Sequence, residues 1–386
     1  MLSLPQLSEN LGPFSFELDA GVLTLDLKRS EMPLSELLMV GQRLNPKRPF
    51  IFVSKVLGKH YPVKPSLMAL THSRLASLLG AVPGPRLFVA MAETAIGLGR
   101  GVFEAYSRLA GSQDSLFIHT TRYKLNSALA LKLDEPHSHA RDHLLYEPAG
   151  PGALKLFRSF KSLVVIDDEV STGRTFANLA KALKSLNSRL ESLFLVTLAS
   201  FLTEESKRAI SEEVRLPLKV ASLLEGVYSF EAKGEPKPTP AFNSVGRFEP
   251  KDQLLSKNFG RLGLTFDESL ALTEEASFLG RDFLFPQRGP VRVLGTGEFV
   301  HEPFALALAL EKRGLSVRFQ STTRTPMALG SAVSSRLSFE DNYGEGLDNF
   351  IYNLDPFFNG HTLIVYEAGG HNHSLTKTLS ATAVSL

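Results

Sequence analysis

Residues 163–179 read LVVIDDEVSTGRTFANL. Four apolar residues lead into two adjacent carboxylates, Asp167 and Asp168. Ser-Thr-Gly-Arg-Thr follows, and then a stretch with helical spacing. A buried strand that ends this way delivers its last residues to the crevice where open α/β sheets take ligands. The turn offers hydroxyls from Ser171, Thr172 and Thr175. Gly173 permits close main-chain approach, and the helix that this turn opens supplies free N–H groups. These are the parts of an anion site. The helix dipole alone contributes about 0.3–1 kcal/mol, so several contacts must act together. Two neighbouring acids repel a phosphate, but they suit hydroxyl donors or a divalent cation. A sugar diol beside a 5′-phosphate meets both demands. Asp167 and Asp168 would take the 2′ and 3′ hydroxyls while residues 171–175 take the phosphate. A plain strand–helix corner would explain a Ser/Thr cap, but not two acids at a fixed offset before it.

Other residues could serve the same chemistry. Residues 43–65 carry Arg43, Lys47, Arg48, Lys55, Lys59, His60 and Lys64, a positive field that a polyphosphate needs. Ser54, Lys55 and Lys59 are candidate contacts, with lysine-rich surface as the plain alternative. Thr120, Thr121, Arg122 and Tyr123 follow a strand end and could meet phosphate or a base, or Arg122 could pair with an acid. Further on, GTGEF brings Gly297 and Glu298 to a strand–helix junction without a full dinucleotide fingerprint. With Ser321, Thr322, Thr323, Arg324, Asp341, Asn342, Tyr343 and Glu367 it could form a second polar pocket, or only pack. The histidines at 137, 139 and 143, and the pair His371 and His373, have poor metal-ligand spacing.

The elements that must position these groups follow from periodicity. Residues 14–27 alternate about an Asp-Ala-Gly turn, as a hairpin does. Helical spacing covers 33–44, 66–80, 95–110, 175–188 and 303–313, and also 267–280 within the otherwise poorly patterned stretch 251–285. Apolar runs at 48–56, 86–93, 115–122, 162–167, 191–201, 291–299, 315–324 and 361–370 read as strands. Strands alternating with helices predict a mostly parallel sheet with helices on both faces, plus a second smaller α/β domain. We divide the chain into an N-terminal arm at 1–40, a first domain at 41–230, a proline-rich linker at 231–284 and a second domain at 285–386. The ends Glu93, Thr121-Arg122 and Asp168 recur at near-equal spacing as Glu298, Thr323-Arg324 and Glu367. Either one βαβ-based unit is duplicated, or short units of similar length repeat Thr-Thr-Arg by chance.

Composition limits the classes. The 386 residues are 43% hydrophobic and 21% charged with a formal net charge of +2, which fits a globular protein and argues against a nucleic-acid groove. There is no cysteine, hence no disulfide and no thiol chemistry. The N-terminus has no signal-peptide pattern, and no run reaches the roughly 18 apolar residues of a membrane span. We expect a cytoplasmic protein.

VVIDDEVSTGRT resembles the phosphoribosyl pyrophosphate loop of type I phosphoribosyltransferases, with Glu169 where that family usually has an apolar residue. MAETAIGLG, HTTRY, HSHARDH, LGTGEF, FQSTTRTP and DNYGEGLDNFIYN extend the likeness. They resemble a two-domain bacterial family that joins an orotate-phosphoribosyltransferase-like domain to a domain named for a Thr-Arg-Ser-Pro signature. Here the signature reads Thr323-Arg324-Thr325-Pro326. The resemblance implies a type I phosphoribosyltransferase fold and transfer of phosphoribose from Mg²⁺-bound phosphoribosyl pyrophosphate to a nucleobase-like acceptor. It also implies a link to tellurium-resistance clusters through a nucleoside-like metabolite. Ala92, Glu93, Thr94 and Ala95 would form the pyrophosphate loop, with Glu93 acting through Mg²⁺ or water. Residues 133–148 would form the mobile catalytic flap, with Arg141 over the leaving group and His139 or His143 as donor. Asp167 and Asp168 would meet Mg²⁺ through the substrate. Such transferases often pair, so the resemblance is compatible with a homodimer and leaves the oligomeric state open. The alternative is a sensor that keeps the nucleotide pocket without catalysis.

Overall fold

The computed structural model describes residues 11–44, 48–111, 113–133, 143–233, 248–284, 289–368 and 373–386. Its first domain is built on an eight-stranded sheet. The centre runs Ser115–His119, Arg86–Ala90, Ser162–Val170, Ser192–Ser200 and Leu218–Ala232, all parallel. Side chains alternate across it, as strand geometry requires. Phe88 and Ala90 join the core under the helices Pro65–Leu79 and Ile96–Ala110, while Leu87 and Val89 join the core under Arg174–Leu186 and Glu204–Val214. Helices thus cover both faces, as the periodicity predicts.

The edges depart from the sequence expectation. Residues of the expected arm enter the sheet, because the hairpin Phe14–Leu18 and Gly21–Ser30 lies antiparallel on Leu218–Ala232. At the far edge Leu264–Thr265 pairs antiparallel with Ser115–His119. That short strand falls in the stretch expected to be a linker, and the helix Phe266–Asp282 stands where helical spacing is expected at 267–280. A capping box explains the helix start: the Thr265 hydroxyl accepts from the Glu268 N–H and the Glu268 carboxylate accepts from Thr265. The helical spacing at 33–44 yields only Leu34–Leu37. Residues Leu38–Gln42 instead pair as a strand with Phe50–Ser54. Ladder pairing and burial override the local periodicity there.

The second domain repeats the first. Its sheet runs Val317–Ser321, Val291–Gly295, His361–Tyr366 and Thr382–Ser385, all parallel. The helix His301–Lys312 connects its first two strands in sequence, and the hairpin Arg336–Glu340 and Asp348–Tyr352 takes the place of Leu129–Leu133 and His143–Tyr146. Single hydrogen bonds recur too. Thr120 Oγ1 accepts from the Ala92 N–H at 2.9 Å, and Thr322 Oγ1 from the Gly297 N–H at 2.8 Å. Tyr146 accepts from the Leu125 N–H at 2.8 Å, and Tyr352 from the Met327 N–H at 2.9 Å. Thr121 bridges Leu144 as Thr323 bridges Phe350. Chance recurrence of short units does not reproduce such side-chain bonds, so the repeat reading holds.

The two units interlock. Val63 forms an antiparallel bridge with Phe319, and the Ser321 N–H donates to the Gly58 carbonyl at 2.6 Å. Buried Arg100 pairs with Glu302 across the units and donates to Ser269 of Phe266–Asp282. Among the described residues no helix is long and apolar enough to cross a membrane.

Burial also shapes the acid response. It pushes His60 and His72 down to about 3 and His119 to about 4 from 6.5. Their neutral forms stabilise the fold above pH 6.5, and that stability is lost as pH falls toward the folded values. Each contributes roughly 1.4 kcal/mol per pH unit across that window. Melting temperature should therefore fall steadily from pH 6.5 to pH 4 in a thermal scan, with proton uptake on unfolding.

Candidate functional site

The acidic strand end has an asymmetric environment. Ile166 is the last residue paired with the strand Arg86–Ala90, opposite Ala90, but pairing with Ser192–Ser200 continues to Val170. The strand is longer than the 162–167 expected. Its free edge begins where Asp167 begins, and this opens the crevice. Asp167 and Asp168 are half-buried, and the Asp168 N–H donates to Asp167 Oδ1 at 3.0 Å. Neither makes an ion pair among the described residues. Burial pushes Asp167 well above the usual carboxylate range, and the neighbouring Asp168 charge pushes it further. Burial raises Asp168 as well. Two desolvated acids with no protein cation of their own await a donor or a cation.

Glu169 takes the cation instead. It pairs with Arg48, whose guanidinium carbon lies 5.0 Å from the Phe50 ring centre. This pair fixes the strand Phe50–Ser54 beside the acids, so Arg48 and Glu169 anchor the site wall.

Beyond Val170 the chain turns through Ser171 and Thr172 into Gly173, the N-cap of Arg174–Leu186. Gly173 has φ 71°, a left-handed backbone that favours glycine. No side chain caps this helix. Thr172 Oγ1 accepts from the Arg174 N–H only at 3.4 Å. Ser171 and Thr175 are half-buried, Thr172 and Arg174 exposed. The first-turn donors are left for an anion.

The second candidate loop sits one strand away. Ala92 and Ala95 are buried, Glu93 and Thr94 half-buried, and Ala95 precedes the helix Ile96–Ala110 without a side-chain cap. The Ala92–Glu93 peptide is cis. Glu93 does not wait for metal or water: Lys59 Nζ lies 2.8 Å from its Oε1. Lys59 is buried and also donates to the Gly297 carbonyl at 2.6 Å. It is therefore a tie between the two units, not the free phosphate contact expected. Ser54 is buried and accepts from the Val56 N–H at 3.2 Å. Lys55 donates to the Ser35 carbonyl at 2.7 Å, away from this crevice. His60 is buried with no partner for either ring nitrogen.

His143 opens the strand His143–Tyr146, buried, with Nδ1 2.9 Å from the Thr120 hydroxyl. It supports Thr120, which in turn holds Ala92. His137, His139, Arg141, Lys47 and His371 lie outside the described residues. His373 caps the short helix Ser374–Thr378.

The polar residues of the second unit do converge, but the pocket is filled. Carrying the Leu294–Ile364 register forward puts Tyr366 and Glu367 where the first unit has Asp167 and Asp168. Arg261 occupies this second cradle. It pairs with Glu367 through two nitrogens and with Glu298 at 3.1 Å. Burial pushes Arg261 down, and Glu367 and Glu298 more than reverse this. Tyr343 donates to Glu367 at 3.2 Å. Glu298 accepts from the Thr121 hydroxyl at 2.6 Å and the Arg122 N–H at 2.8 Å. Arg122 in turn donates to the Ala92 carbonyl at 3.4 Å. No sequence signal marked Arg261, which lies in the poorly patterned stretch after the prolines.

Residues 37–227 match the model of a phosphoribosyl transferase family. Residues 258–382 match the TRSP domain that lies C-terminal to that transferase. The chain belongs to this two-domain phosphoribosyl transferase family. It is thus an enzyme of the phosphoribosyl-transferring kind. None of the curated proteins matches it. Among solved structures, adenine phosphoribosyltransferase from Thermoanaerobacter pseudethanolicus is 14% identical, over 50% of this chain and 97% of that one, with a TM-score of 0.33. The Giardia lamblia enzyme complexed with 9-deazaadenine is 13% identical, over 50% of this chain and 98% of that one, with a TM-score of 0.32.

The match to the TRSP domain begins at residue 258 and so includes Arg261. Arg261→Leu should destabilise the transferase by about 3–5 kcal/mol, because two buried carboxylates lose their cation. Arg261→Leu with Glu367→Leu should recover part of that loss. Denaturant melts of the four proteins of this cycle measure both effects.

Proposed function

We propose that the chain breaks the bond between C1 of phosphoribosyl pyrophosphate and its pyrophosphate oxygen, and forms a bond from C1 to a nitrogen of a nucleobase-like acceptor. The pair Asp167 and Asp168 carries the reading: two desolvated acids without a protein cation, beside a helix start with uncapped donors. The acids accept hydrogen bonds from the 2′ and 3′ hydroxyls. Residues 171–175 hold the 5′-phosphate, and the loop 92–95 holds the pyrophosphate. As the leaving group departs, C1 gains oxocarbenium character, and the nearby carboxylates favour that positive charge.

Mg²⁺ fits this arrangement in one way. Among the described residues no group of three or more His, Asp or Glu side chains could hold it. Two carboxylates complete a cation's shell only when substrate oxygens supply the rest. Asp167 and Asp168 would hold the ion through the substrate, and it would offset pyrophosphate charge. The acceptor, its incorporation into a nucleoside-like metabolite and the tellurium link rest on the motif resemblance. Arg141 with His139 as a closing flap rests on that same ground.

Asp168→Asn should lower turnover by about 100-fold or more, since the lost charge no longer favours the cationic transition state. It should not lower the melting temperature, because burial already disfavours the ionised form. Pyrophosphate release with Mg²⁺, phosphoribosyl pyrophosphate and a panel of bases is the measurement. Turnover at the unmodified rate sinks the assignment.

A further inference from the structure

The repeat makes a comparison that neither unit allows alone. Glu298 corresponds to Glu93, and Thr323-Arg324 to Thr121-Arg122. Glu298 crosses between the units to grip Thr121 and the Arg122 N–H. In a symmetric arrangement Glu93 would grip Thr323 and the Arg324 N–H. It does not. Glu93 pairs with Lys59, the Thr323 hydroxyl accepts from the Thr325 N–H at 3.2 Å, and Arg324 pairs with Glu345 at 3.2 Å. The sealed half leaves Arg261 and Glu298 side chains 3% and 1% exposed. In the other half Glu93 and Arg324 keep 11% and 18%. The open half lies against the loop 92–95.

We propose that Arg324 of the second domain is a binding residue of the first domain's site and holds the pyrophosphate part of the donor. The inference rests on the phosphosugar reading above. Arg324 is fixed on two sides. The Glu345 side chain is fully buried. Its loop is tied by Asp341, which accepts from the Tyr343, Glu345 and Leu347 N–H groups. The Tyr123 ring lies 4.5 Å from the guanidinium carbon, a cation–π support from the first domain. A guanidinium held this way loses little freedom when it binds.

The chemistry supplies the need. The loop 92–95 offers main-chain donors, but its one charged side chain is the acid Glu93. The lysine beside it is already committed to Glu93 and Gly297. Pyrophosphate brings several negative charges and requires a cation, and guanidinium matches phosphate oxygens in pairs. Glu93 is among the charges that keep Arg324 protonated, so the two lie within electrostatic reach.

Binding of inorganic pyrophosphate and of ribose 5-phosphate to the full chain, each by calorimetry, tests this. Arg324→Gln should weaken pyrophosphate by about tenfold or more and leave ribose 5-phosphate within about twofold. Arg324→Lys should fall between, because it keeps the charge and loses the paired geometry. Equal weakening of both ligands, or none, overturns the proposal. If Arg324→Gln does not fold, the ratio of the two affinities in Arg324→Lys decides in the same way. A wild-type chain that binds neither anion sinks the phosphosugar reading itself. One that binds both, with a ratio unmoved by the substitutions, sinks only the role of Arg324.

Discussion

Arg261 between Glu298 and Glu367 is the constraint from which the arrangement of the two units follows. A buried guanidinium and two buried carboxylates are costly apart and tolerable together. Their contact requires the strand ends of the second unit, the turn after residue 256 and the Thr121–Arg122 corner to meet at one place. Glu298 then fixes Thr121 and the Arg122 main chain, and Arg122 reaches the Ala92 carbonyl. The second cradle gives up its opening, and the loop 92–95 of the first gains a fixed wall.

The same logic separates the two acidic strand ends. In the first unit the available guanidinium, Arg48, is held by Glu169, and Asp167 and Asp168 stay unpaired among the described residues. In the second, Glu367 receives Arg261. Burial raises the acids of both units, but one unit keeps carboxylates without a cation and the other holds its carboxylate rigidly against a guanidinium. A repeat can support this division because both copies bring an acidic strand end to the same register. The placement of one cation decides which copy's acids stay unpaired among the described residues.

Much of the first site was legible because its signal is local. A strand end, two acids and a Ser-Thr-Gly-x-Thr turn lie within a few residues, so spacing alone carries the geometry. Gly173 could be assigned to the turn for that reason. The roles of Lys55 and Lys59 were not legible. Their charge suggested phosphate, yet Lys55 turns to the Ser35 carbonyl and Lys59 is consumed by Glu93 and Gly297. Those partners lie far off in the chain, and no periodicity reports them. The stretch 33–44 failed for a related reason. Its helical spacing was real, but pairing of Leu38–Gln42 with Phe50–Ser54 outweighed it.

The sequence by itself determined the alternation of strands and helices, the acid–turn–helix order at residues 167–175 and the recurrence of Thr-Thr-Arg. Each depends on residues near one another along the chain. Tertiary structure decided that the second domain faces the first, that Arg261 fills its cradle and that Arg324 rests on Tyr123. Those facts arise from charges buried against one another across long sequence separations. Burial, rather than order along the chain, selects such partners.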